Sequence, residues 1–600
     1  MQFFVRILGV ALGILAAALV FLAFSHQHVQ SRSQARHFHN KNVQVRSNRA
    51  ALAVSSNGFL LYGHPFDIWS GSLHYFRIPA EYWLDRLEMA KHMGLNTIST
   101  YVPWNFHEVG PGSFDFETHA HDLARFLNLA HEVGLRVLIR PSPYICAEWD
   151  FGGLPARLMA NPDLELRSSN DAFLDEVERY YDALMPILRP LQASNGGPII
   201  AFYVENEYGS YGADRDYLQA LVAMMRDRGI VEQMFTCDNA QGLSRGALPG
   251  ALQTINFQDN VERHLDQLAH FQPDQPLMVS EYWTGWFDHD GEEHHTFDSE
   301  DLVEGLQKIL DRGASFNLYV FHGGTSFGWN AGANSPYAPD ITSYDYDAPL
   351  SEHGQVTPKY EDIQMVLMSY GAEHPRRPHY HSNSNPYQVM ASHLTYMEEL
   401  PHTNGQGYVL YSTNLDLQAS ERTLVINGIR DRVIVYCNGQ RIALLPLKYT
   451  HAATRLLDLL VENAGRINYG EAIGEHKGLD EAFWLDEEEQ AHMAVIPWDR
   501  MGHLTDDTPG APRLYRAFIP RPPDLGTGVP DTYIDTRDWG RGAMFLNGFN
   551  LGRFSRAGPQ WQLYLPGPFF TRETNELVIL ETDPQAEVPT TVKFLDHPLW

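Results

Sequence analysis

Two acidic segments, far apart in the chain, carry residue types that could perform chemistry. Residues Gly196–Gly209 read GGPIIAFYVENEYG, an apolar run that begins at a turn and ends in a Glu-Asn-Glu triplet. Residues Pro276–Trp283 read PLMVSEYW and bring Glu281 to the end of a second apolar run. A short apolar run bounded by turn residues is typical of a strand buried on both faces, as in a parallel sheet. Carboxylates at the carboxyl ends of such strands lie where barrel enzymes keep their active sites.

A pair of carboxyl groups at one barrel mouth is suited to the hydrolysis of an acetal. One acid protonates the leaving oxygen while the other attacks the anomeric carbon or activates a water molecule there. The two groups must hold different protonation states near neutral pH, and burial and mutual repulsion can produce that difference. A solvated loop is the simpler interpretation of a lone acid at a strand end, so the second segment is what favours catalysis.

Within the first segment, the alternation of side chains along a strand decides between the two glutamates. Glu205 and Glu207 should share one face of the strand. We predict Glu207 as the acid because it lies nearer the rim of the sheet, with Glu281 as its partner carboxylate. Asn206 is predicted to bind a sugar hydroxyl that neighbours the reacting carbon.

The chain from Asp67 to about Gly371 alternates strand-like and helix-like segments, which predicts a scaffold for these residues. The predicted strands are Asp67–Phe76, Asn96–Trp104, Arg136–Trp149, Pro198–Glu207, Val231–Asn239, Ala251–Gln258, Pro276–Trp283 and Ser315–Thr325. The stretches with helical periodicity are Glu81–Met93, Asp122–Glu132, Asp171–Leu188, Asp216–Arg228, Val261–Phe271 and Ser299–Asp311. Eight strands, each followed by a helix or a long loop, indicate a (β/α)8 TIM barrel. A doubly wound open sheet is the alternative, and it is disfavoured because no glycine-rich phosphate loop follows the first strand.

After Tyr370 the sequence pattern becomes all-β. Residues 373–388, rich in Pro, His, Ser and Asn, are predicted to be a linker. Beyond it, Val435–Gly439 and Met544–Gly548 are similar, since each is an apolar strand that ends in Asn-Gly. This repeat favours two β-sandwich, jelly-roll-like domains. We therefore predict a leader and tether over 1–54, the catalytic barrel over 55–372, and β-sandwich domains over 389–505 and 506–600.

The composition excludes some classes of function. The chain has 600 residues, of which 44% are hydrophobic, with 12 Trp, 29 Tyr and 31 Phe. These values indicate a large multidomain globular protein, and its many aromatic rings suit the apolar faces of sugars. Against 44 Lys and Arg stand 74 Asp and Glu, a formal net charge of −30. Such a surface repels phosphate backbones, so we predict no nucleic-acid partner. The oligomeric state is left open.

The N-terminus begins with an apolar segment. Residues Ile7–Phe24 are apolar apart from two glycines, a length that fits the core of a signal peptide or a short transmembrane anchor. The basic segment Ser31–Arg49 is predicted to be a flexible tether. Its positive charge after the apolar run disagrees with the positive-inside rule for an exported C-terminus, so the orientation is left open. We predict that the catalytic part is exported, either released by cleavage or anchored to a membrane.

The cysteines are too few for a disulfide framework. Cys146, Cys237 and Cys437 are the three in the chain. Cys146 and Cys237 are the candidate pair for a single bridge, and three free thiols are the equally plausible alternative.

A histidine-rich loop invites a metal interpretation. His289, His294 and His295 lie among acidic residues. Their spacing matches no standard ligand set, so a solvated loop is favoured, and we predict neither a metal nor a cofactor.

Several long motifs of this chain resemble one known family. They are HYFRIP (His74–Pro79), TYVPWNFHE (Thr100–Glu108), RPSPYICAEWDFGGLP (Arg140–Pro155), VENEYGSYGAD (Val204–Asp214), SEYWTGWFDH (Ser280–His289), TSYDYDAPLSE (Thr342–Glu352), LVENAGRINYG (Leu460–Gly470) and GAMFLNGFNLGRF (Gly542–Phe554). The chain is similar to glycoside hydrolase family 35, the family of lysosomal-type β-galactosidases, from about Ser55 to the C-terminus. One departure is that the family's Pro-Gly-Pro run reads Pro-Ser-Pro at residues 141–143.

The resemblance implies a retaining exo-β-galactosidase that hydrolyses terminal, non-reducing β-D-galactose. By matching position, Glu207 would be the proton donor and Glu281 the nucleophile that forms a covalent glycosyl intermediate. The residues that would hold the terminal galactose are Tyr101, Glu148, Asn206 and Tyr346. The implied partner is a galactose-terminated oligosaccharide or glycan.

Two rival functions stay open at this point. The same scaffold could act on another terminal β-linked sugar such as glucosamine, which a screen of chromogenic glycosides would separate. The chain could also be a non-catalytic carbohydrate-binding surface protein, although the presence of both Glu207 and Glu281 disfavours that.

Overall fold

The computed structural model describes residues 50–56, 58–372, the strands and some turns between 392 and 497, and residues 512–524, 528–583, 589 and 591–600. The predicted signal or anchor segment Ile7–Phe24, the basic tether and the predicted linker 373–388 lie outside these residues. In the described part of the chain, no helix combines the length and the apolar character needed to cross a bilayer.

Eight parallel strands close into a barrel in which each strand pairs with its neighbours in sequence. They are β1 (Trp69–Leu73), β2 (Thr97–Tyr101), β3 (Arg136–Arg140), β4 (Ile199–Tyr203), β5 (Gln233–Asn239), β6 (Leu252–Phe257), β7 (Met278–Trp283) and β8 (Ser315–His322). Each lies within one of the eight predicted strands, so the predicted barrel is confirmed. The apolar runs identified the strands because both faces of a parallel barrel strand are covered.

Seven helices of eight or more residues surround the barrel in the described residues. They are α1 (Trp83–Met93), α2 (Leu123–Val133), α3 (Asp171–Leu188), α4 (Arg215–Asp227), α5 (Val261–Phe271), α6 (Ser299–Asp311) and α7 (Pro358–Ser369). The first six coincide with predicted helices, and Gly94 and Gly134, both at positive φ, cap the C-terminal ends of α1 and α2. Sequence periodicity missed α7 because two apolar residues, Met365 and Met368, lie on its exposed face beside Glu361 and blur the amphipathic pattern.

The all-β part follows the barrel. Its strands of three or more described residues are β9 (Ser392–Thr395), β10 (Gly407–Asn414), β11 (Leu424–Ile426), β12 (Arg432–Cys437), β13 (Gln440–Pro446), β14 (Leu456–Asn463), β15 (Ala494–Pro497), β16 (Arg513–Pro520), β17 (Thr532–Asp535), β18 (Arg541–Leu546), β19 (Phe549–Ser555), β20 (Gln562–Leu565) and β21 (Thr574–Glu581). The two predicted Asn-Gly strands open antiparallel hairpins, β12 with β13 and β18 with β19.

Two five-stranded sheets dominate this part. One has the order β13-β12-β14-β10-β15, and the other has the order β9-β16-β21-β18-β19. Strand β9 falls within the predicted first β domain, yet it pairs with β16 of the last one. Ile434, Leu460, Phe545 and Leu580 from both sheets form one apolar cluster with Trp329, which comes from the loop after β8. The all-β part is thus packed on a barrel loop.

Candidate active site

Glu207 lies just beyond the fourth barrel strand. Strand β4 ends at Tyr203, and Glu207 precedes a single helical turn over Tyr208–Tyr211. The backbone of Glu207 is left-handed, with φ 45°, and its N–H donates to the carbonyl of Cys237 at 3.0 Å. Left-handed backbone is uncommon outside glycine and is frequent at functional sites. The side chain is 8% exposed.

Glu205 has a different role from the one that strand alternation implied. Its two carboxylate oxygens each accept a hydrogen bond from Arg167 at 2.8 Å, and Oε1 also accepts one from the Tyr217 hydroxyl at 3.1 Å. The prediction that Glu205 and Glu207 share one strand face is wrong, because the strand ends before both of them. Glu205 is a buried ion-pair partner, which leaves Glu207 as the available acid of the triplet.

Glu281 lies within β7 and is surrounded by donors. Its Oε1 accepts hydrogen bonds from the Tyr101 hydroxyl at 2.8 Å and from Nη1 of Arg140 at 3.0 Å. Its Oε2 accepts one from Nε1 of Trp283 at 3.2 Å. Glu281 is 6% exposed, and Arg140 is fully buried. Three donors, one of them cationic, therefore fix the position of this carboxylate.

Asn256 connects the two carboxylates. It pairs in register with Glu281 across β6 and β7, and its Nδ2 donates to Oε1 of Glu207 at 3.0 Å. Its Oδ1 accepts from the Ser280 hydroxyl at 2.6 Å, which fixes the orientation of the amide. One side chain therefore brings Glu207 to the same part of the barrel mouth as Glu281.

The electrostatic surroundings of the two glutamates differ. Burial, followed by the negative charge of Glu281, raises the pKa of Glu207 to about 7. The hydrogen bond from Asn256 and the charge of Arg140 oppose this rise and are the smaller influences. Glu207 can therefore hold a proton near neutral pH while Glu281 faces a guanidinium. This is the asymmetry that acid and nucleophile need.

Glu148 enters the site on a strained loop. Strand β3 ends at Arg140, so the predicted strand over Arg136–Trp149 is too long. Cys146, Ala147 and Glu148 are consecutive residues with φ of 58°, 63° and 48°. Such a run of left-handed residues breaks any strand, and no sequence pattern predicted it.

The carboxyl of Glu148 faces the same mouth. It accepts a hydrogen bond from the Tyr344 hydroxyl. Burial raises its pKa to about 7, while Tyr344 and Arg77 act in the opposite direction and Glu281 adds to the rise. A buried acid of this kind can bind two sugar hydroxyls.

Asn206 and Tyr346 are the remaining predicted binding residues. Oδ1 of Asn206 accepts a hydrogen bond from Nη1 of Arg140, the group that also binds Glu281. Tyr346 is buried with φ 65°, and its ring lies 5.7 Å from that of Tyr319. Burial, followed by interaction with Tyr319 and then with Glu148 and Glu281, raises the pKa of the Tyr346 hydroxyl well above its ordinary value. The structure thus brings all the predicted site residues to one mouth.

Sequence reasoning missed three residues that contact the glutamates. These are Arg140, Asn256 and Trp283. Each lies at or near the carboxyl end of a barrel strand, so a search of every strand end for polar or aromatic side chains could have found them. Their partners could not be assigned from sequence because the contacts join different strands.

Two of the three cysteines are free thiols. Cys146 and Cys237 are buried and unbridged, so the disulfide alternative is wrong for this pair. Each thiol has a polar neighbour instead. Nη2 of Arg140 donates to Sγ of Cys237 at 3.0 Å, and Sγ of Cys146 lies 3.6 Å from Oδ1 of Asn468.

The histidine-rich loop is organised around one aspartate. Asp288 is buried and binds Nδ1 of His294 at 2.7 Å and Nδ1 of His295 at 2.9 Å. His294 also stacks on Trp600, with ring centroids 4.1 Å apart. The loop is therefore partly buried. Among the described residues, no group of three or more potential ligands could hold a metal.

Because several buried carboxyl groups have raised pKa values, we expect the stability of the protein to fall as the pH rises above neutrality. Burial raises the pKa of Glu148, Glu207 and Glu581 to about 7 and that of Glu352 to about 8. A carboxyl whose pKa is raised by folding contributes stability below its unfolded pKa and loses it as the pH rises through the folded pKa. We expect the melting temperature to fall between about pH 6.5 and 8 in thermal unfolding.

The lower limit of this window is set by buried histidines. Burial lowers the pKa of His107 to about 3 and lowers those of His74 and His322 well below the ordinary value. Their contribution is lost below the unfolded histidine pKa, about 6.5, so it opposes the carboxyl effect only there. Glu352→Gln should flatten the slope above pH 6.5, and the exposed Glu117→Gln should leave it unchanged. A melting temperature constant over this range would contradict the prediction.

Three family models match consecutive regions of the chain. The family model described as "Glycosyl hydrolases family 35" matches residues 58–370. The model "Beta-galactosidase, first all-beta domain" matches residues 395–499, and "Beta-galactosidase, galactose-binding domain" matches residues 512–575.

Three relatives are similar over nearly the whole chain. "Beta-galactosidase-1-like protein 2" of Homo sapiens is 39% identical over 585 residues, which cover 90% of this chain and 91% of that protein. "Beta-galactosidase-1-like protein 3" of Mus musculus is 38% identical and covers 90% of this chain and 89% of that protein. "Beta-galactosidase" of Homo sapiens is 38% identical over 618 residues, which cover 91% of this chain and 90% of that protein.

Proposed function

The chain belongs to glycosyl hydrolases family 35, and from this membership and the geometry of the barrel mouth we propose that it is a retaining exo-β-galactosidase. Its substrate would be a glycan with a terminal, non-reducing β-D-galactose. Because the apolar segment Ile7–Phe24 predicts export of the catalytic part, the enzyme would act on this glycan outside the cytoplasm. The relatives named as β-galactosidases support the choice of sugar.

One observation carries the assignment of roles. Glu281 is held by a cation and two further donors, whereas Glu207 has one amide donor and a pKa raised to about 7. The ionised carboxylate is suited to attack, and the protonated one is suited to donate. We therefore assign Glu281 as nucleophile and Glu207 as acid and base. A retaining enzyme holds the two carboxyl groups about 5–5.5 Å apart, and we expect that separation here.

The proposed reaction has two steps. In the first, a carboxylate oxygen of Glu281 bonds to the anomeric carbon, the bond to the leaving oxygen breaks, and Glu207 gives that oxygen its proton. In the second, Glu207 takes a proton from water, the water oxygen bonds to the anomeric carbon, and the bond to Glu281 breaks. The sum is hydrolysis with retention, and both glutamates return to their starting states.

The remaining residues would hold the galactose. Glu148 can accept hydrogen bonds from two sugar hydroxyls, and Asn206 can bind the hydroxyl next to the anomeric carbon, because Arg140 fixes its amide beside Glu281. Tyr346 would close the pocket with its ring. Tyr101 contacts the nucleophile directly and would also contact the sugar.

Trapping of the intermediate tests this proposal. A 2-deoxy-2-fluoro β-galactoside with a good leaving group should inactivate the enzyme and add one fluorogalactosyl group. Fluorine slows both steps, whereas the good leaving group speeds only the first, so the covalent intermediate accumulates. Peptide mapping by mass spectrometry should place the label on Glu281. Excess galactose should protect, and the corresponding fluoroglucoside is the matched control for sugar choice. A label on another residue, or turnover without any covalent adduct, would refute the assignment.

A further inference from the structure

The end of β5 is bonded to the turn that carries Glu207. The carbonyl of Cys237 accepts the Glu207 N–H at 3.0 Å, and Oδ1 of Asp238 accepts the Gly209 N–H at 2.7 Å. Nδ2 of Asn239 donates to the Ser210 hydroxyl at 2.8 Å. Three consecutive residues of one strand thus hold three of the four residues 207–210. Neither strand spacing nor any motif predicted this contact.

Asp238 is closely fitted into this position. It is 1% exposed. A β-carbon at Gly246 would lie 2.1 Å from Oδ2 of Asp238, and a β-carbon at Gly209 would lie 2.0 Å from the carbonyl oxygen of Gly242. Neither position leaves room for a side chain. The fit therefore requires glycine on both sides, and it fixes where the carboxyl of Asp238 meets the turn.

The turn needs support from outside because Glu207 does not cap it. Glu207 stands at the N-cap position of Tyr208–Tyr211, yet its side chain makes no capping hydrogen bond. An N-cap side chain ordinarily accepts from the second or third N–H of the helix. Here the second N–H, that of Gly209, is bound by Asp238 instead. A helical turn of four residues does not hold its own conformation, and neither does a left-handed glutamate.

We propose that Asp238 is a positioning residue for the acid, which takes over the capping bond of the Glu207 turn and so leaves the Glu207 carboxyl free to reach the leaving oxygen. This inference rests on the proposed function of Glu207. Asp238 acts through the backbone of the turn and touches no reacting atom. Burial, with the nearby charges of Glu207 and Glu205, raises the pKa of Asp238 well above its ordinary value. An uncharged acceptor therefore suffices, and asparagine has one.

Dependence on the leaving group tests this role. Departure of dinitrophenolate needs no proton, whereas departure of phenol or of a sugar does. A misplaced acid should therefore slow only the substrates whose leaving group is phenol or a sugar. In Asp238→Ala, kcat/KM for phenyl β-galactoside should fall about tenfold or more, since a general acid contributes roughly 10²–10⁴. With 2,4-dinitrophenyl β-galactoside it should change less than about threefold. Asp238→Asn should recover most of the loss because it keeps the acceptor oxygen.

A second variant disturbs the position of the Asp238 carboxyl without replacing Asp238 itself. Gly246→Ala places a β-carbon against Asp238 without changing the carboxyl, and it should show the same dependence on the leaving group. Equal losses for both substrates, or no recovery in Asp238→Asn, would overturn the inference. If the wild-type enzyme itself cleaved neither galactoside, the proposed function would fail instead, so the two failures are distinguishable.

Discussion

Replacing Glu281 by alanine is expected to lower kcat/KM for aryl β-galactosides by roughly 10⁶-fold, the size of effect seen when a covalent nucleophile is removed. The carboxylate forms the bond that replaces the leaving group, and no other described carboxyl has the same three donors. Its Oε1 is held by Tyr101 and Arg140, so attack comes from an oriented carboxylate. Steady-state hydrolysis of 2,4-dinitrophenyl β-galactoside measures the loss.

Rescue by a small anion identifies the step that is lost. Azide can enter the space left by the Glu281 carboxylate and attack from the same side, so Glu281→Ala with azide should release α-galactosyl azide. Glu281→Gln, which fills the space, should not be rescued and serves as the matched control. Binding of galactose to both variants, followed as a rise in melting temperature, checks that the pocket remains folded. Unchanged hydrolysis in Glu281→Gln would contradict the assignment of the nucleophile, whereas galactose binding without hydrolysis by the wild type would favour a non-catalytic sugar-binding protein.

The barrel could be predicted from sequence because its strands are buried on both faces. Runs such as Ile199–Tyr203 and Leu252–Phe257 are apolar or uncharged throughout, and glycines end the first two barrel helices. These signals are local, so a single sequence contains them. The positions of Glu207 and Glu281 followed from the same signals, since a strand end is also a place at the barrel mouth.

What surrounds the glutamates could not be predicted in the same way. Arg140 and Glu281 are 141 residues apart in the chain yet make a hydrogen bond of 3.0 Å, and no local pattern indicates that pairing. The backbone at Cys146–Glu148 takes a left-handed path that its residue types do not announce. Strand alternation also failed at Glu205, because period-two reasoning applies only while the strand continues.

The all-β part also supports loops at the barrel mouth, and the division of the sequence into domains did not indicate this. A segment of the first all-β region, predicted as a separate domain, binds two barrel loops, the one that follows Glu148 and the one that follows β8. The Arg466 N–H donates to Oδ1 of Asp150 at 2.6 Å, and Nδ2 of Asn468 donates to Oδ2 of Asp340 at 3.1 Å. Asn468 is fully buried at this contact. The strained loop at Glu148 is therefore supported from outside the barrel, which composition along the chain could not reveal.

Replacing Glu207 by alanine is expected to slow reactions that need a proton and to spare those that do not. For phenyl β-galactoside or lactose, kcat/KM should fall by roughly 10²–10⁴-fold. For 2,4-dinitrophenyl β-galactoside, whose leaving group needs no acid, kcat/KM should stay within a factor of about ten. Azide should raise kcat on that substrate and give β-galactosyl azide, because it replaces water in the second step without needing a base.

The pH dependence of kcat/KM tests the assignment of Glu207 as the acid independently. Glu207 acts in its protonated form, and its pKa is raised to about 7 by burial and by the charge of Glu281. Wild-type kcat/KM for phenyl β-galactoside should therefore fall as the pH rises through about 7, since the fraction of protonated acid falls there. In Glu207→Ala this alkaline limb should be absent, while Glu352→Gln, a buried acid away from the two glutamates, should retain it. An alkaline limb that persists without Glu207 would assign the proton to a different group and leave Glu207 without its role.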